Sequence, residues 1–513
     1  MRTRFAPSPT GMLHIGGLRT ALYAYLISKK EEDGKFILRI EDTDRERSVD
    51  GAVENILTAM HWAGIDPDEG VMMRDGLVTS EGAHGPYIQS ERFDMYRKHA
   101  DELVEKEFAY YAFDTKEDLD HMRNQESAAG NPAPKYDSSV RMRMKNSLTL
   151  PEEEWKKKME DGDPFVIRMK IPEGNVIRFT DDIRGKVEFR GMEVDDQILI
   201  KSDGFPTYHL ANVVDDHYMD INLVIRGEEW LSSTPKHLLL FEYFGWQSPR
   251  YAHVPLLLNP GGGKLSKRQG DVAVGDYIDK GYMPEAVINF ISLLGWNPGT
   301  TQEMFTMDEL IEAFSLDRIQ KGGAVFDTAR LDWFQGQWMR KFSPEEFATR
   351  IQPLVAEKYP EAAKDEKFQE RATLIQERIT FDHEAPEMLS YYYEEPVFDK
   401  DLVASKKQKI SSEDLPELID IIIKTIENMP KDRWSAKGVL EEFREVAEKE
   451  NKKLGQLLWP LRAIVTGREY SPGATEVAIS LSGGNPMYDT VEEVGLTGFD
   501  PVLNRLKAAR DNL

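Results

Sequence analysis

A parallel α/β sheet, interrupted by an α+β insertion and followed by an all-α C-terminal module, is the fold class predicted by the sequence. Three observations carry that prediction. The chain opens on "RFAPSPTGMLHIGGLRTALYAYLISKK", in which a short strand (3–6) runs through a loop stiffened by Pro7 and Pro9 into a helix from about Leu18. A second helix-and-strand pattern appears beyond residue 200 in "KSDGFPTYHLANVVDDHYMDINLVIRGEEW". From about Met283 the apolar positions recur at helical spacing, through "LPELIDIIIKTIENM", "VLEEFREVAEKENKK" and "PVLNRLKAARDNL".

The elements follow in order. In the first helix Leu18, Ala21, Leu22, Tyr25 and Leu26 share one face, and a strand feeding such a helix is the opening unit of a parallel sheet. "KFILRIEDTD" supplies the next strand (36–40) and ends in an acidic turn, Glu41, Asp42 and Asp44. In an open parallel sheet ligand groups gather at the carboxyl ends of strands, so these acids lie beside the His14 loop if the two strands are neighbours. From about 76 to 205 short helices and strands mix, and "DPFVIRMKIPEGNVIRFTDDIRGKVEFRG" is strand-like, so this stretch reads as an insertion between two halves of the sheet. The sheet then resumes with a helix carrying Tyr208 and Asn212, four apart and hence on one face, and with a buried strand (222–225) that delivers Arg226.

At 513 residues the chain exceeds one compact core, and three or more domains are expected. The formal charge of −25, from 65 basic and 90 acidic residues, excludes a protein that coats nucleic acid indiscriminately and gives no attraction to anionic membranes. It leaves room for a specific nucleic-acid partner that meets a local basic face. No run approaches the ~18 apolar residues of a membrane span, and Met-Arg-Thr-Arg leads into a strand, so a cytoplasmic protein without membrane attachment is expected. Cysteine is absent, which removes disulfides and thiolate metal sites. A metal would be a hard cation such as Mg²⁺, held by carboxylates and substrate phosphates.

Two stretches carry chemistry. Gly16 and Gly17 fall in the first turn of the opening helix, so no Cβ blocks approach to its unpaired N–H groups and the positive end of the dipole, a site for phosphate. His14, just before, adds a potential N–H donor to the same oxyanion. Far downstream, "LLLNPGGGKLSKRQGDVAV" brings Lys264, Lys267 and Arg268 together around Ser266 behind a glycine hinge. Alone, each is as readily a helix start or a solvated turn. Placed in the two halves of one split sheet, they read as a two-part triphosphate clamp.

In this order and wording, "FAPSPTGMLHIGGLRTAL", "RIEDTD", "YHLANVVDDH", "VIRGEEW" and "KLSKR" resemble the class I aminoacyl-tRNA synthetases and, within them, the bacterial glutamyl-tRNA synthetases. The resemblance covers essentially the whole chain, more loosely beyond Trp338. It implies a Rossmann-type catalytic domain in two halves (1–92 and 206–260), an acceptor-stem-binding insertion (93–205), a stem-contact domain with the KLSKR loop (261–340) and a helical anticodon-binding module (341–513). Carried over position by position, it implies ATP contacts at His14, Gly16, Gly17, Glu229, Trp230, Leu256, Leu257, Lys264, Ser266, Lys267 and Arg268. Of these, His14, Lys264 and Lys267 would act on the reacting phosphates. Glutamate would be bound by Arg4, Ala6, Ser8, Glu41, Tyr208, Asn212 and Arg226, with Arg226 on the side-chain carboxylate and Glu41 on the ammonium.

The implied reaction is ATP-dependent activation of L-glutamate followed by transfer to the 3′ end of tRNA(Glu), with tRNA(Gln) as an alternative second acceptor. The resemblance further implies a monomer and ATP placement that depends on bound tRNA. Mg²⁺ would accompany ATP; no protein metal ligand is assigned. Some relatives carry a zinc-binding Cys-x-Cys pair where this chain has Ala112 and Asp114, so zinc is not expected. Gly17 stands in place of the second histidine of the class signature, a replacement the glutamyl group shares. A catalytically dead tRNA-binding scaffold is the rival reading, and it expects loss of His14, Lys264 or Lys267, all of which are present.

Overall fold

The computed structural model describes residues 1–44, 47–265 and 272–513. β1 (Arg2–Phe5) leads into α1 (Ile15–Lys29), which begins at Ile15 and not Leu18 because His14 caps it. The helix is buried nearly all round (Ile15, Leu18, Ala21, Leu22, Tyr23, Ala24 and Leu26), as a helix covered on both sides must be. β2 (Lys35–Leu38), α2 (Ala52–Trp62) and the hairpin of β3 (Glu69–Arg74) and β4 (Leu77–Glu81) complete the first half. Then come α3 (Phe93–Glu105), β5 (Ala109–Ala112), α4 (Lys116–Ala128), α5 (Glu152–Glu160), β6 (Val166–Met169), β7 (Val176–Asp181), β8 (Gly185–Arg190) and β9 (Ile198–Ile200). α6 (Tyr208–Tyr218), β10 (Leu223–Gly227), α7 (Thr234–Phe244), β11 (Arg250–Val254) and the short β12 (Leu257–Leu258) and β13 (Ala324–Val325) follow.

The main sheet has eight strands in the order β4-β3-β2-β1-β10-β11-β7-β8. Its six inner strands, β3 to β7 in that order, are parallel, and β4 and β8 close the edges as antiparallel hairpins. β1 pairs with β2 on one side and β10 on the other, so the strand order reverses there, and the crevice at the carboxyl ends of these strands is where ligands bind in such sheets. β10 reads as continuous apolar sequence up to Arg226 because a central parallel strand is buried on both faces.

The β7–β8 hairpin lies inside the stretch read as an insertion, yet it extends the main sheet beyond β11. It covers an edge that would otherwise stay open for pairing, and the half-buried alternation of β8 is that of a new edge strand. Elsewhere in the stretch, β5, β6 and β9 form a separate antiparallel sheet in the order β5-β6-β9, accompanied by α3, α4 and α5. Asp114, where zinc-binding cysteine was not expected, accepts hydrogen bonds from Lys145 N–H (2.8 Å) and Tyr136 O–H (2.9 Å).

The chain forms two compact units, 1–280 with 284–328, and 281–283 with 329–513. The second is all helical. One of its apolar cores gathers Phe347, Ile351, Val355, Ile375 and Leu389. The other gathers Leu418, Ile422, Phe443, Leu461, Val477 and Leu506 from the later helices. Ser343 caps the helix Pro344–Lys358 in a capping box with Glu346, which satisfies two otherwise orphaned N–H groups.

Candidate active site

One cleft of ≈ 1120 Å³ opens at the carboxyl ends of β1, β2 and β10. Every residue expected to bind ATP or glutamate that lies among the described residues is on its wall: Arg4, Ala6, Ser8, His14, Gly16, Gly17, Glu41, Tyr208, Asn212, Arg226, Glu229, Trp230, Leu256, Leu257 and Lys264. Ser266, Lys267 and Arg268 fall outside the described residues.

At the start of α1 the geometry refines the anion site. His14 Nδ1 accepts from the Gly16 N–H at 3.1 Å, and the Ile15 N–H goes to Val272 O at 2.8 Å. The cap therefore takes the Gly16 amide that the sequence reading gave to a phosphate. Gly17 N–H is left as the first-turn donor with no acceptor among the described residues. Because Nδ1 accepts, a neutral His14 carries its proton on Nε2. A Cβ at Gly17 would sit 3.2 Å from Leu13 Cδ1, so glycine also keeps this turn close to the loop.

Lys264 reaches the same cleft from the other half. Its Nζ lies 3.6 Å from Glu229 Oε1, and its backbone bridges antiparallel to Leu258. The glycines before it, read from the sequence as a hinge, form a hydrogen-bonded turn: Gly262 N–H reaches Asn259 O at 2.9 Å and Asn259 N–H reaches Gly263 O at 3.0 Å. Gly262 and Gly263 have φ of 86° and 79°, left-handed values that only glycine adopts without strain. Leu256 is anchored through its N–H to Glu228 Oε1 (2.8 Å), and Trp230, 40% exposed, packs its ring 4.5 Å from that of Tyr208.

Deeper in the cleft lie Arg4 and Arg226, two arginines of different electrical character. Arg4, on β1, is gripped by Asp216 of α6 through Nε (3.1 Å) and Nη2 (3.3 Å), so its charge is matched within the protein. Arg39, fully buried beyond β2, donates to Asp216 (2.8 Å) and Glu41 (3.0 Å) and lies 3.6 Å from Asp215. Asp215 is met in turn by Arg92 (2.7 Å), Tyr96 and Gln89. Burial raises the pKa of Glu41 and of Asp215 even with these partners, whereas for Asp216 the pull of Arg4 and Arg39 outweighs burial and lowers it. Glu41 Oε1 takes Arg39 and Asn212 (3.1 Å), and the carboxylate faces the cleft.

Arg226, 5% exposed, has no carboxylate partner among the described residues. Its Nε donates to His253 Nε2 (3.0 Å), Nη1 to Tyr208 Oη (3.1 Å) and His237 Nδ1 (3.2 Å), and Nη2 to Thr234 Oγ1 (2.9 Å) and Trp230 O (3.4 Å). All five N–H groups of the guanidinium thus meet neutral acceptors. A buried cation without a counter-charge is costly in an apolar interior, and here it is tolerated where an anionic ligand can supply the missing charge. The sequence reading found Arg226 but not its neighbours His237, His253 and Asp181. They stand in "TPKHLLL", "YAHVP" and "FTDD", short stretches in which a histidine or acid interrupts an apolar or strand pattern, the one available signal.

Burial lowers the pKa of His253, His237 and His209, the last to about 3. Each histidine is neutral when folded but titrates near 6.5 when unfolded, so the unfolded chain binds more protons below that pH and stability falls as pH falls. For His209 alone the loss is about 1.4 kcal/mol per pH unit between roughly pH 6 and pH 3. His209→Gln removes that proton. Unfolding midpoints of wild type and variant measured from pH 7 to 4 should converge toward the acid end or cross, and a constant gap would refute the neutral assignment.

A cleft with a phosphate-ready helix start, a lysine-bearing loop facing it and matched carboxylate and guanidinium groups between two sheet halves is the arrangement of a class I tRNA synthetase catalytic domain. A family model described as tRNA synthetases class I (E and Q), catalytic domain, matches residues 1–333, and one described as anticodon binding domain matches residues 346–484. The glutamate–tRNA ligase of Chlorobaculum parvum is 44% identical over 486 residues, 92% of this chain and 93% of that protein. That of Chloroherpeton thalassium is 43% identical over 100% of this chain and 98% of its own length. A crystal structure of a glutamate tRNA ligase from Elizabethkingia meningosepticum in complex with its amino acid superposes with a TM-score of 0.84 at 37% identity, covering 100% of this chain and 99% of that one. The chain belongs to the glutamate–tRNA ligase family.

Proposed function

We propose that the chain activates L-glutamate with ATP and transfers it to the 3′ end of tRNA(Glu), releasing diphosphate and AMP. The observation that carries the amino-acid choice is Arg226, a buried guanidinium on the cleft wall whose acceptors are all neutral. An amino acid with a side-chain carboxylate supplies the missing charge in planar, bidentate form. The ammonium would sit against Glu41, and Arg4, whose Nη1 has no acceptor among the described residues, offers a further donor.

The α-carboxylate is already ionised and attacks the α-phosphate of ATP without a general base, so rate comes from alignment and charge stabilisation. The P–O bond to the β,γ-diphosphate breaks as the C–O–P bond forms. Gly17 N–H, His14 and Lys264, with Ser266, Lys267 and Arg268 of the KLSKR loop, would meet the charge on the phosphates. Glu229, Trp230, Leu256 and Leu257 would hold the adenosine side, with Trp230 giving an aromatic face. Among the described residues no group of three or more His, Asp or Glu is disposed to hold a metal, so Mg²⁺ would arrive with ATP on phosphate oxygens and water.

Residues 93–205 would receive the acceptor end and residues 341–513 the anticodon arm, in a monomer. We further propose that tRNA binding organises the ATP site. Aminoacylation of purified tRNA(Glu) and tRNA(Gln), with glutamate-dependent ATP–diphosphate exchange run with and without tRNA, tests the reaction, the choice of tRNA and the ordering. Charging of tRNA(Glu) and exchange that needs tRNA are expected. No charging of either tRNA would overturn the assignment, charging of both would make the enzyme non-discriminating, and full exchange without tRNA would remove the ordering alone.

A further inference from the structure

The donors of Arg226 divide into two sets. Tyr208 and Trp230 line the cleft, and each takes one N–H, from Nη1 (3.1 Å) and Nη2 (3.4 Å) respectively, so these two N–H groups, one on each terminal nitrogen, form the fork that an incoming carboxylate takes over from them. His253, His237 and Thr234 take the other three from behind. We infer that His253 and His237 are specificity-determining positioning residues, which aim the Arg226 fork while adding no negative charge, so that its charge is kept for the substrate's side-chain carboxylate.

Proton placement follows from the ends of each chain of contacts. Asp181, on β7, holds His253 Nδ1 at 2.6 Å and also accepts the His253 backbone N–H. Burial alone would raise the Asp181 pKa, but His253 and the N–H groups of Arg184 and Ile183 bring it below the usual range, so it is ionised and claims the Nδ1 proton. Nε2 is then a bare acceptor for Arg226. On the other side His237 Nδ1 must accept from Arg226, so its proton sits on Nε2 and is donated to His209 Nδ1 at 3.1 Å. A carboxylate in either histidine's place would also hold the arginine, and more strongly, but it would neutralise the fork and repel an incoming carboxylate. Arg4, paired with Asp216, shows what such a matched arginine looks like in the same cleft.

The inference rests on the glutamate reading, and paired substitutions of equal size and different charge separate it from a packing role. Gln at 253 keeps an acceptor near the Nε2 position and Glu adds the charge; Asn and Asp do the same at the Nδ1 position of residue 237. His253→Glu and His237→Asp should raise the KM for glutamate roughly 100-fold over His253→Gln and His237→Asn, with the KM for ATP unchanged and the preference for glutamate over glutamine reduced. Equal glutamate KM values in each acidic and neutral pair would overturn the inference. If the histidine variants do not fold, Thr234→Asp against Thr234→Asn makes the same comparison at Nη2, and equality there overturns it too. Wild-type charging with glutamate is measured alongside, so failure of the glutamate reading shows separately as no charging by the unaltered enzyme.

Discussion

Arg226→Gln should lower kcat/KM for glutamate by about 10²- to 10⁴-fold, while leaving the KM for ATP within a few fold. The size follows from removing one member of a buried charge pair, which costs about 3–5 kcal/mol because the partner is left desolvated without compensation, and each 1.4 kcal/mol is a factor of ten. In the free enzyme the substitution is milder. The acceptors around Arg226 are neutral, so glutamine removes a costly buried cation and refills some of its hydrogen bonds. The penalty therefore appears on substrate binding and not on folding. A variant that folds with wild-type stability, uses glutamate poorly and narrows the gap between glutamate and glutamine is the expected result. Near-normal kcat/KM for glutamate would remove Arg226 from the selection of the side chain.

Legibility in the sequence tracks how local the physics is. α1, β2 and β10 were readable because burial on a sheet imposes apolar periodicity, and the anion site at the start of α1 because His14, Gly16 and Gly17 follow the turn made by Pro7 and Pro9, whereas the glutamate-side residues take that role only through the resemblance. The helical last third was readable for the same reason. What could not be read is what depends on strand neighbours far apart in the chain. Nothing local says that Tyr251 pairs with Asp181, so that β7 leaves its surroundings and brings a carboxylate under His253. The use of the Gly16 amide by His14 is likewise a matter of one side-chain rotamer at the helix start. Asp215 and Asp216 stand in the quoted "VVDDH", but sequence alone could not tell a solvated pair of acids from the buried counter-charges of Arg4, Arg39 and Arg92.

Arg39→Met should both destabilise the protein and make glutamate binding sensitive to pH. The buried cluster contains three arginines (4, 39 and 92) and three acids (Glu41, Asp215 and Asp216), so removing Arg39 leaves one negative charge in excess. Methionine fills much of the volume, so the loss is chiefly electrostatic, about 3–5 kcal/mol if all three acids stay ionised. The protein can lower that loss by binding a proton. Glu41 and Asp215 are the candidates, since burial already raises their pKa values, whereas Asp216 keeps Arg4. Glu41 also loses its hydrogen bond from Arg39, retaining among the described residues the one from Asn212. A protonated Glu41 has no charge for the substrate ammonium, so kcat/KM for glutamate in the variant should fall as pH drops through the newly raised pKa, at a pH where wild type is still flat. The same proton uptake makes the stability deficit smallest at low pH and largest at high pH, because the native variant binds a proton there that the unfolded chain does not. Unfolding midpoints and glutamate kcat/KM measured from pH 5.5 to 8.5 test both signs together: a deficit that does not grow with pH, with an unshifted kinetic profile, would show that Arg39 does not hold Glu41 ionised.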